Sequence, residues 1–263
     1  MATQEDCKLG VSLVQYDIAW EDKEKNLSYI YSVMSSLAGK TDLVLLPEMC
    51  TTGFSMNSRL LAEPVNGNSI NNLKAWAEKF NLAVCGSYIA EDKGEYFNRG
   101  FFITPQSEHY YDKRHLFRMG SEPSFFSAGN NRLIVQYKGF SICLLICYDL
   151  RFPVWARNVG NAYDLLIYVA NWPASRNKVW NALLTARAIE NMSYVCGVNR
   201  TGRDGNGLNY DGLSRLINAK GDDILPPLLN QNETQSVYIS KIDIEAFRAK
   251  FPVWEDADSF EIK

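Results

Sequence analysis

Strand-sized apolar runs alternating with amphipathic helical stretches predict an α/β fold on a mixed sheet, and a length of 263 residues allows one large buried core. Apolar or alternating runs at 8–16, 42–46, 82–90, 97–104, 132–137, 140–146, 164–170, 194–198 and 236–241 read as strands. Between them, the stretch 24–37 carries Leu27, Ile30, Tyr31, Met34 and Leu37 at helical spacing. The stretch 69–80 opens on Ser69 in N-cap position and brings Ile70, Leu73, Trp76, Ala77 and Phe80 to one face. The stretch 177–192 aligns Trp180, Leu183, Leu184, Ala188 and Ile189 and contains no glycine. The opening order is strand, helix, strand, helix, strand, and short links between the middle strands add hairpins, so the sheet is mixed. No linker and no repeat interrupts the pattern, so residues 1–263 read as one domain. The part after Gly221, with Pro226-Pro227 and Phe251-Pro252, reads as looser and is expected to wrap over the body or a partner subunit.

Charge and composition exclude several classes. The net charge is −3 with acids and bases interspersed, so no basic stripe points to nucleic acid. No apolar run approaches the roughly 20 residues that cross a bilayer, and the polar first residues do not read as a signal peptide. Six cysteines, Cys7, Cys50, Cys85, Cys143, Cys147 and Cys196, are dispersed and form no CxxC pair. A chain of this size needs no disulfide staples, so they read as reduced thiols of a cytoplasmic protein. With only His109 and His115 available, no zinc set is expected, and neither metal nor organic cofactor is implied.

Three polar residues stand at the ends of apolar runs. Cys147 follows Phe140–Ile146 and precedes polar Tyr148-Asp149, where a strand gives way to a helix and backbone N–H groups can face a reacting atom. Position alone leaves a small buried core thiol and a nucleophile equally open. Glu48 closes the run 42–47 and is either a solvated loop charge or a site carboxylate whose burial would suit general acid–base work. Lys113 sits in the segment Tyr110-Tyr111-Asp112-Lys113, after a second strand-like run; alone it reads as a surface charge, and beside a reacting carbonyl it would stabilise an oxyanion. A Ser-His-Asp arrangement is not favoured, since no Gly-x-Ser-x-Gly elbow is present.

Taken together these residues resemble the nitrilase superfamily of carbon-nitrogen hydrolases. The matching motifs are Leu45-Leu46-Pro47-Glu48, the run from Tyr111 through Lys113 to Phe117, and Cys147-Tyr148-Asp149-Leu150-Arg151-Phe152-Pro153, in the family's order, and the likeness covers nearly the whole chain. The resemblance implies a four-layer α-β-β-α sandwich with two mixed β-sheets, assembled as a homodimer or higher homo-oligomer through the layer that carries the cysteine helix. It implies that Glu48, Lys113 and Cys147 converge as base, oxyanion stabiliser and nucleophile. Glu122, ahead of Gly129, matches the family's second glutamate.

The residues around the motifs, including Asn171-Trp172-Pro173, look most like the omega-amidases, which hydrolyse the terminal amide of 2-oxoglutaramate and 2-oxosuccinamate. Such a small-molecule substrate needs a short cleft and a cation for its far carboxylate. Tyr148, Phe54, Phe117, Phe126 and Trp172 are expected to contribute to binding, the aromatics being equally readable as ordinary core. Arg118, Arg151 and Arg176 are candidates for the carboxylate, with Arg151 favoured instead as an ion-pair partner of Asp149 or of the cysteine helix. Competing readings are an N-carbamoyl amidase of the same superfamily, an idle interaction protein on the same fold, and a metal-dependent phosphodiesterase. The intact Glu48, Lys113 and Cys147 weigh against the second, and the scarcity of histidine against the third.

Overall fold

The computed structural model describes residues 7–262, in which the alternating pattern folds as two stacked sheets with helices outside. The first half forms β1 (Lys8–Gln15), α1 (Lys23–Leu37), β2 (Leu43–Leu45), α2 (Ser58–Leu61), α3 (Asn68–Phe80), β3 (Ala83–Asp92), β4 (Glu95–Ile103) and β5 (Glu108–Asp112). The second half forms β6 (Leu133–Tyr137), β7 (Phe140–Ile146), α4 (Pro153–Ala156), β8 (Leu165–Ala170), α5 (Asn177–Asn191), β9 (Tyr194–Asn199), β10 (Thr201–Arg203), β11 (Asn209–Asp211), β12 (Arg215–Ile217), β13 (Asp223–Leu225), β14 (Glu233–Ser240) and α6 (Lys241–Lys250).

The two large sheets share one plan. The first runs β14-β1-β2-β3-β4-β5, with β1, β2 and β3 parallel and the remaining pairings antiparallel. The second runs β13-β12-β9-β8-β7-β6, with β7, β8 and β9 parallel and antiparallel strands at both edges. Side chains alternate between two cores. Leu43 and Leu45 of β2 and Cys85 of β3 enter the core shared by the sheets, where they meet Ile142, Leu144 and Ile167. Val44 and Val84 enter the opposite core, with Ile30 and Met34 of α1 and Ile70 and Leu73 of α3. Both faces of the central strands are covered, which is why those runs read as continuously apolar.

On the far side α5 covers the second sheet through Trp180, Leu184 and Ala188. Gly197 of β9 permits that approach, since a Cβ there would sit 2.5 Å from Leu184 Cδ1 and 2.7 Å from Trp180 Cζ2. The result is the expected four-layer α-β-β-α sandwich.

The structure departs from the sequence pattern at its short pieces. The strands β10, β11, β12 and β13 each hold three residues, too few for a period-two signal to register. The loose tail is more regular than expected. β14 pairs antiparallel with β1 along its whole length, and α6 follows directly, its N-terminus capped by Ser240 Oγ accepting from Asp243 N. α6 docks by charge: Lys241 and Arg248 both pair with buried Asp164, and Arg248 Nη2 also donates to Tyr163 O at 2.7 Å. No helix among the described residues is long and apolar enough to cross a membrane.

Leu184 is fully buried between α5 and β9, so Leu184→Ala leaves a cavity that neighbours cannot close. We expect a loss of about 2–5 kcal/mol in urea-induced unfolding, with the denaturant slope unchanged.

Candidate active site

The candidate residues meet at the carboxyl ends of β2, β7 and β8, where open and sandwiched parallel strands commonly receive ligands. Glu48 follows β2 by three residues, and its neighbour Met49 turns the chain with φ +43 while its N–H donates to Ser87 Oγ at 2.8 Å. Lys113 follows β5 directly, tied by its N–H to Asn98 O at 3.0 Å and by its carbonyl to Gly129 N at 3.0 Å. Gly129 must be glycine at this contact, because a Cβ would lie 2.1 Å from Asp112 O. Cys147 follows β7 and opens a 3₁₀ turn, Cys147–Arg151, in a left-handed backbone conformation (φ +43). A non-glycine residue held there costs about 1–3 kcal/mol and persists only where the surroundings fix it.

The charges are buried and mutually satisfied. Lys113 Nζ lies 2.8 Å from Glu48 Oε1 and 3.0 Å from Glu122 Oε2, and all three side chains are closed to solvent. Asn98 Nδ2 bridges the same carboxylates, donating to Glu48 Oε1 at 2.8 Å and to Glu122 Oε1 at 3.1 Å. Phe117 N also donates to Glu122. Asn171, the first residue after β8, holds Glu48 at both ends: its N–H donates to Oε2 at 2.8 Å, and its side-chain amide donates to the Glu48 carbonyl. Cys147 Sγ sits 3.9 Å from the Asn171 carbonyl.

Protonation follows from this packing. Burial works against the Lys113 ammonium, but Glu122 and Glu48 outweigh it and hold its pKa above the ordinary range. Burial pushes the Glu122 carboxyl up, Lys113 draws it back, and Glu48 raises it again. Cys147 is pushed well above the usual thiol range, first by burial and then by Glu48, with Lys113 opposing. The resting side chain is therefore the thiol.

A cavity of about 300 Å³ opens above these groups, a volume suited to a small molecule. Lys113 and Cys147 form part of its wall, with Phe54, Phe117, Tyr148, Trp172 and Tyr210 around them. Phe126 is not among the lining residues; it packs in a satellite core with Met49, Leu61 and Ile89, and reads as an ordinary core aromatic. Arg118 also stays off the cavity, whereas Arg151 and Arg176 line it. The expected pairing of Arg151 with Asp149 is not made. Asp149 is satisfied by Tyr111, His115 and the Ile146 N–H, and Arg151 instead lies over the Trp172 ring at 5.3 Å.

Sequence reasoning gave no role to Asn98, Asn171 or the β10–β11 hairpin. Asn98 carried a signal, a lone amide inside an apolar strand, where a buried polar group demands partners. The hairpin contributes Asp204, Leu208 and Tyr210 to the cavity, and nothing in the local pattern points to that.

A model of the carbon-nitrogen hydrolase family matches residues 10–250. The chain belongs to this family. It is 43% identical to the omega-amidase YafV of Escherichia coli, over 97% of this chain and 98% of that one. It is 28% identical to the 2-oxoglutaramate amidase of Bacillus subtilis, over 95% and 97% of the two chains. Its fold matches XC1258 of Xanthomonas campestris, a CN-hydrolase superfamily protein with an arsenic adduct in its active site, with a TM-score of 0.95 and 40% identity over 97% of this chain and 99% of that one. The expected membership of the nitrilase superfamily therefore holds.

The buried trio makes a stability prediction. Lys113→Ala leaves two carboxylates facing each other without their ammonium, and should cost about 3–5 kcal/mol near neutral pH. Lys113 is what draws the Glu122 pKa down, so its removal raises that pKa further. A raised carboxyl pKa gives stability at low pH that is lost as pH rises through the folded-state value. The melting temperature of the variant, followed by circular dichroism, should thus fall more steeply than the parent's as pH rises above the ordinary carboxylate range.

Proposed function

We propose that the protein is an omega-amidase that hydrolyses the terminal amide of short 2-oxo dicarboxylic acid monoamides, with Cys147 as nucleophile. The observation that carries this reading is the closed cluster of Glu48, Lys113 and Glu122 beside Cys147 in a small cavity, with Arg151 and Arg176 on its wall. Identity of 43% over nearly the full length to an omega-amidase supports the substrate class.

Glu48 acts as general base. Because the resting group is a thiol, proton transfer to Glu48 accompanies attack of sulfur on the amide carbon. The C–S bond forms as the carbonyl electrons move to oxygen, and the Lys113 ammonium and the Tyr148 N–H receive the oxyanion. Glu48 returns the proton to the amide nitrogen, the C–N bond breaks, and ammonia leaves a thioester on Cys147. Water then gives a proton to Glu48 and adds to the thioester; collapse breaks the C–S bond, and Glu48 returns the proton to sulfur. Glu122 keeps Lys113 charged and aimed. Phe54, Phe117, Tyr148 and Trp172 flank the carbon chain, and Arg176 with Arg151 receives the far carboxylate. We further propose that residues 1–263 work as one domain, in the cytoplasm, as a homodimer or higher homo-oligomer. Free cysteines and the exposed apolar Val154, Val159 and Ile189 support the compartment and the assembly respectively.

The test is ammonia release from 2-oxoglutaramate, glutamine, N-carbamoyl-β-alanine and carbamoylputrescine. We expect rapid release from 2-oxoglutaramate alone, none with Cys147→Ala, and a loss of about 10²-fold or more with Glu48→Gln. Arg176→Gln should raise KM for the keto acid by about tenfold or more. Release from a carbamoyl compound instead would move the substrate class, and turnover by folded Cys147→Ala would end the nucleophile assignment.

A further inference from the structure

We propose that Asp149 is a positioning residue that locks the segment carrying Lys113 to the turn carrying Cys147, with His115 as its partner. This rests on the reading of Cys147 as nucleophile, and it gives a task to a buried charge that the mechanism above leaves idle. Asp149 is fully buried, and among the described residues its salt-bridge partner is His115 rather than any lysine or arginine. Burying a carboxylate is costly unless its oxygens are filled, and here they are filled by donors from two separate segments. Oδ2 accepts from Tyr111 OH at 2.8 Å and from Ile146 N at 3.0 Å. Oδ1 accepts from His115 N at 3.0 Å and from His115 Nδ1 at 2.8 Å. A carboxylate that already accepts a backbone N–H places the imidazole proton on Nδ1.

The spacing of these partners is the core of the inference. Tyr111 and His115 stand two residues before and two residues after Lys113. Ile146 and Asp149 stand one before and two after Cys147. One carboxylate therefore spans both segments and fixes how far the ammonium lies from the sulfur. The Ile146 bond also closes the turn in which Cys147 holds its left-handed conformation. The brace reaches the cavity wall as well. His115 stacks on Phe152 at 3.8 Å and 7°, Phe152 meets Tyr148 at 5.2 Å, and Tyr148 meets Phe117 at 5.1 Å. Tyr111 OH is itself held by Trp155 Nε1 at 3.0 Å and Arg114 N at 3.2 Å.

Asp149→Asn keeps the volume but loses one full acceptor, so one segment is released. His115→Ala removes the ring bond and the stacking while keeping the backbone N–H, and is the milder change. Both are compared with the parent and with Leu73→Ala, which opens a cavity in the separate core between α3 and the first sheet. All are assayed well below their melting temperatures for kcat and KM on 2-oxoglutaramate, and for the rate of iodoacetamide alkylation at Cys147 by mass spectrometry. A displacement of about 1 Å can cost about 10²-fold in rate, so kcat should fall by about that factor in Asp149→Asn with KM changed less than about threefold. Cys147 alkylation should change with it, His115→Ala should fall between, and the double variant should be no worse than Asp149→Asn alone. Leu73→Ala should lower the melting temperature and leave kcat and alkylation at parental values. Parental kcat and alkylation rate in folded Asp149→Asn would overturn the clamp while leaving the amidase reading intact. An inactive parent would overturn the substrate reading, and the alkylation rates alone would then decide the clamp. If Asp149→Asn does not fold, His115→Ala decides: a kcat and alkylation rate equal to the parent's refute the proposal.

Discussion

Lys113 Nζ lies within hydrogen-bond distance of two carboxylates, with all three side chains closed to bulk solvent, and that arrangement constrains everything around it. Two buried carboxylates without a cation would repel and could not both stay ionised; a buried ammonium without them would lose its proton. The three groups are stable only together and only with their remaining valences filled. Asn98, Asn171 and the Phe117 N–H do that filling, and each comes from a different part of the chain. The loop from Lys113 to Glu122 folds back on itself because Glu122 must meet both Lys113 and Phe117 N. The cluster thus acts as a polar core whose cost is recovered in position rather than in stability.

The two-sheet plan explains how those parts meet. Glu48, Asn98 and Lys113 belong to the first sheet or its loops, and Cys147 and Asn171 to the second. Parallel strands in each sheet end on the same side, so their following residues face one another across the sandwich. The apolar layer between the sheets, with Leu45, Cys85, Leu144 and Ile167, sets their separation. Asn171 crosses that gap by bonding to Glu48 twice, and Asp149 crosses it through Tyr111 and His115. Packing brings the reactants close, and a few fully satisfied polar contacts set the final ångström.

Much of this was legible before any coordinates. The three motif residues stand at strand ends, which apolar periodicity marks, and their convergence was legible through the resemblance of the motifs to the nitrilase superfamily. Glu122 was legible through its resemblance to a family position, and Gly129 behind it has a steric reason in Asp112 O. Other features depend on contacts with distant segments, which a local pattern does not carry. Phe126 looks like any aromatic near a site, and only the satellite core of Met49, Leu61 and Ile89 shows where it goes. Arg151 stands two residues from Asp149, yet the turn aims it at Trp172 and leaves Asp149 to His115, thirty-four residues away in sequence. The tail hid α6 because it docks through ion pairs to Asp164 and one buried apolar residue, Ile244, too little to register as an apolar stripe.

The electrostatics of Cys147 bear on how the chemistry begins. Many thiol nucleophiles rest as thiolates beside a cation, with the charge prepaid. Here Lys113 is nearby, but its charge is already shared by Glu48 and Glu122, and what remains is too little to offset burial. A preformed thiolate would add a third negative group around one ammonium. Attack by the thiol with simultaneous transfer to Glu48 avoids that state: when Glu48 takes the proton, one negative charge leaves the cluster, and Lys113 is freed to face the new oxyanion. Total charge around Lys113 then stays constant through the step. With these side chains closed to bulk solvent, little screening is available for a transient excess of charge, and a step that keeps the charge constant avoids one.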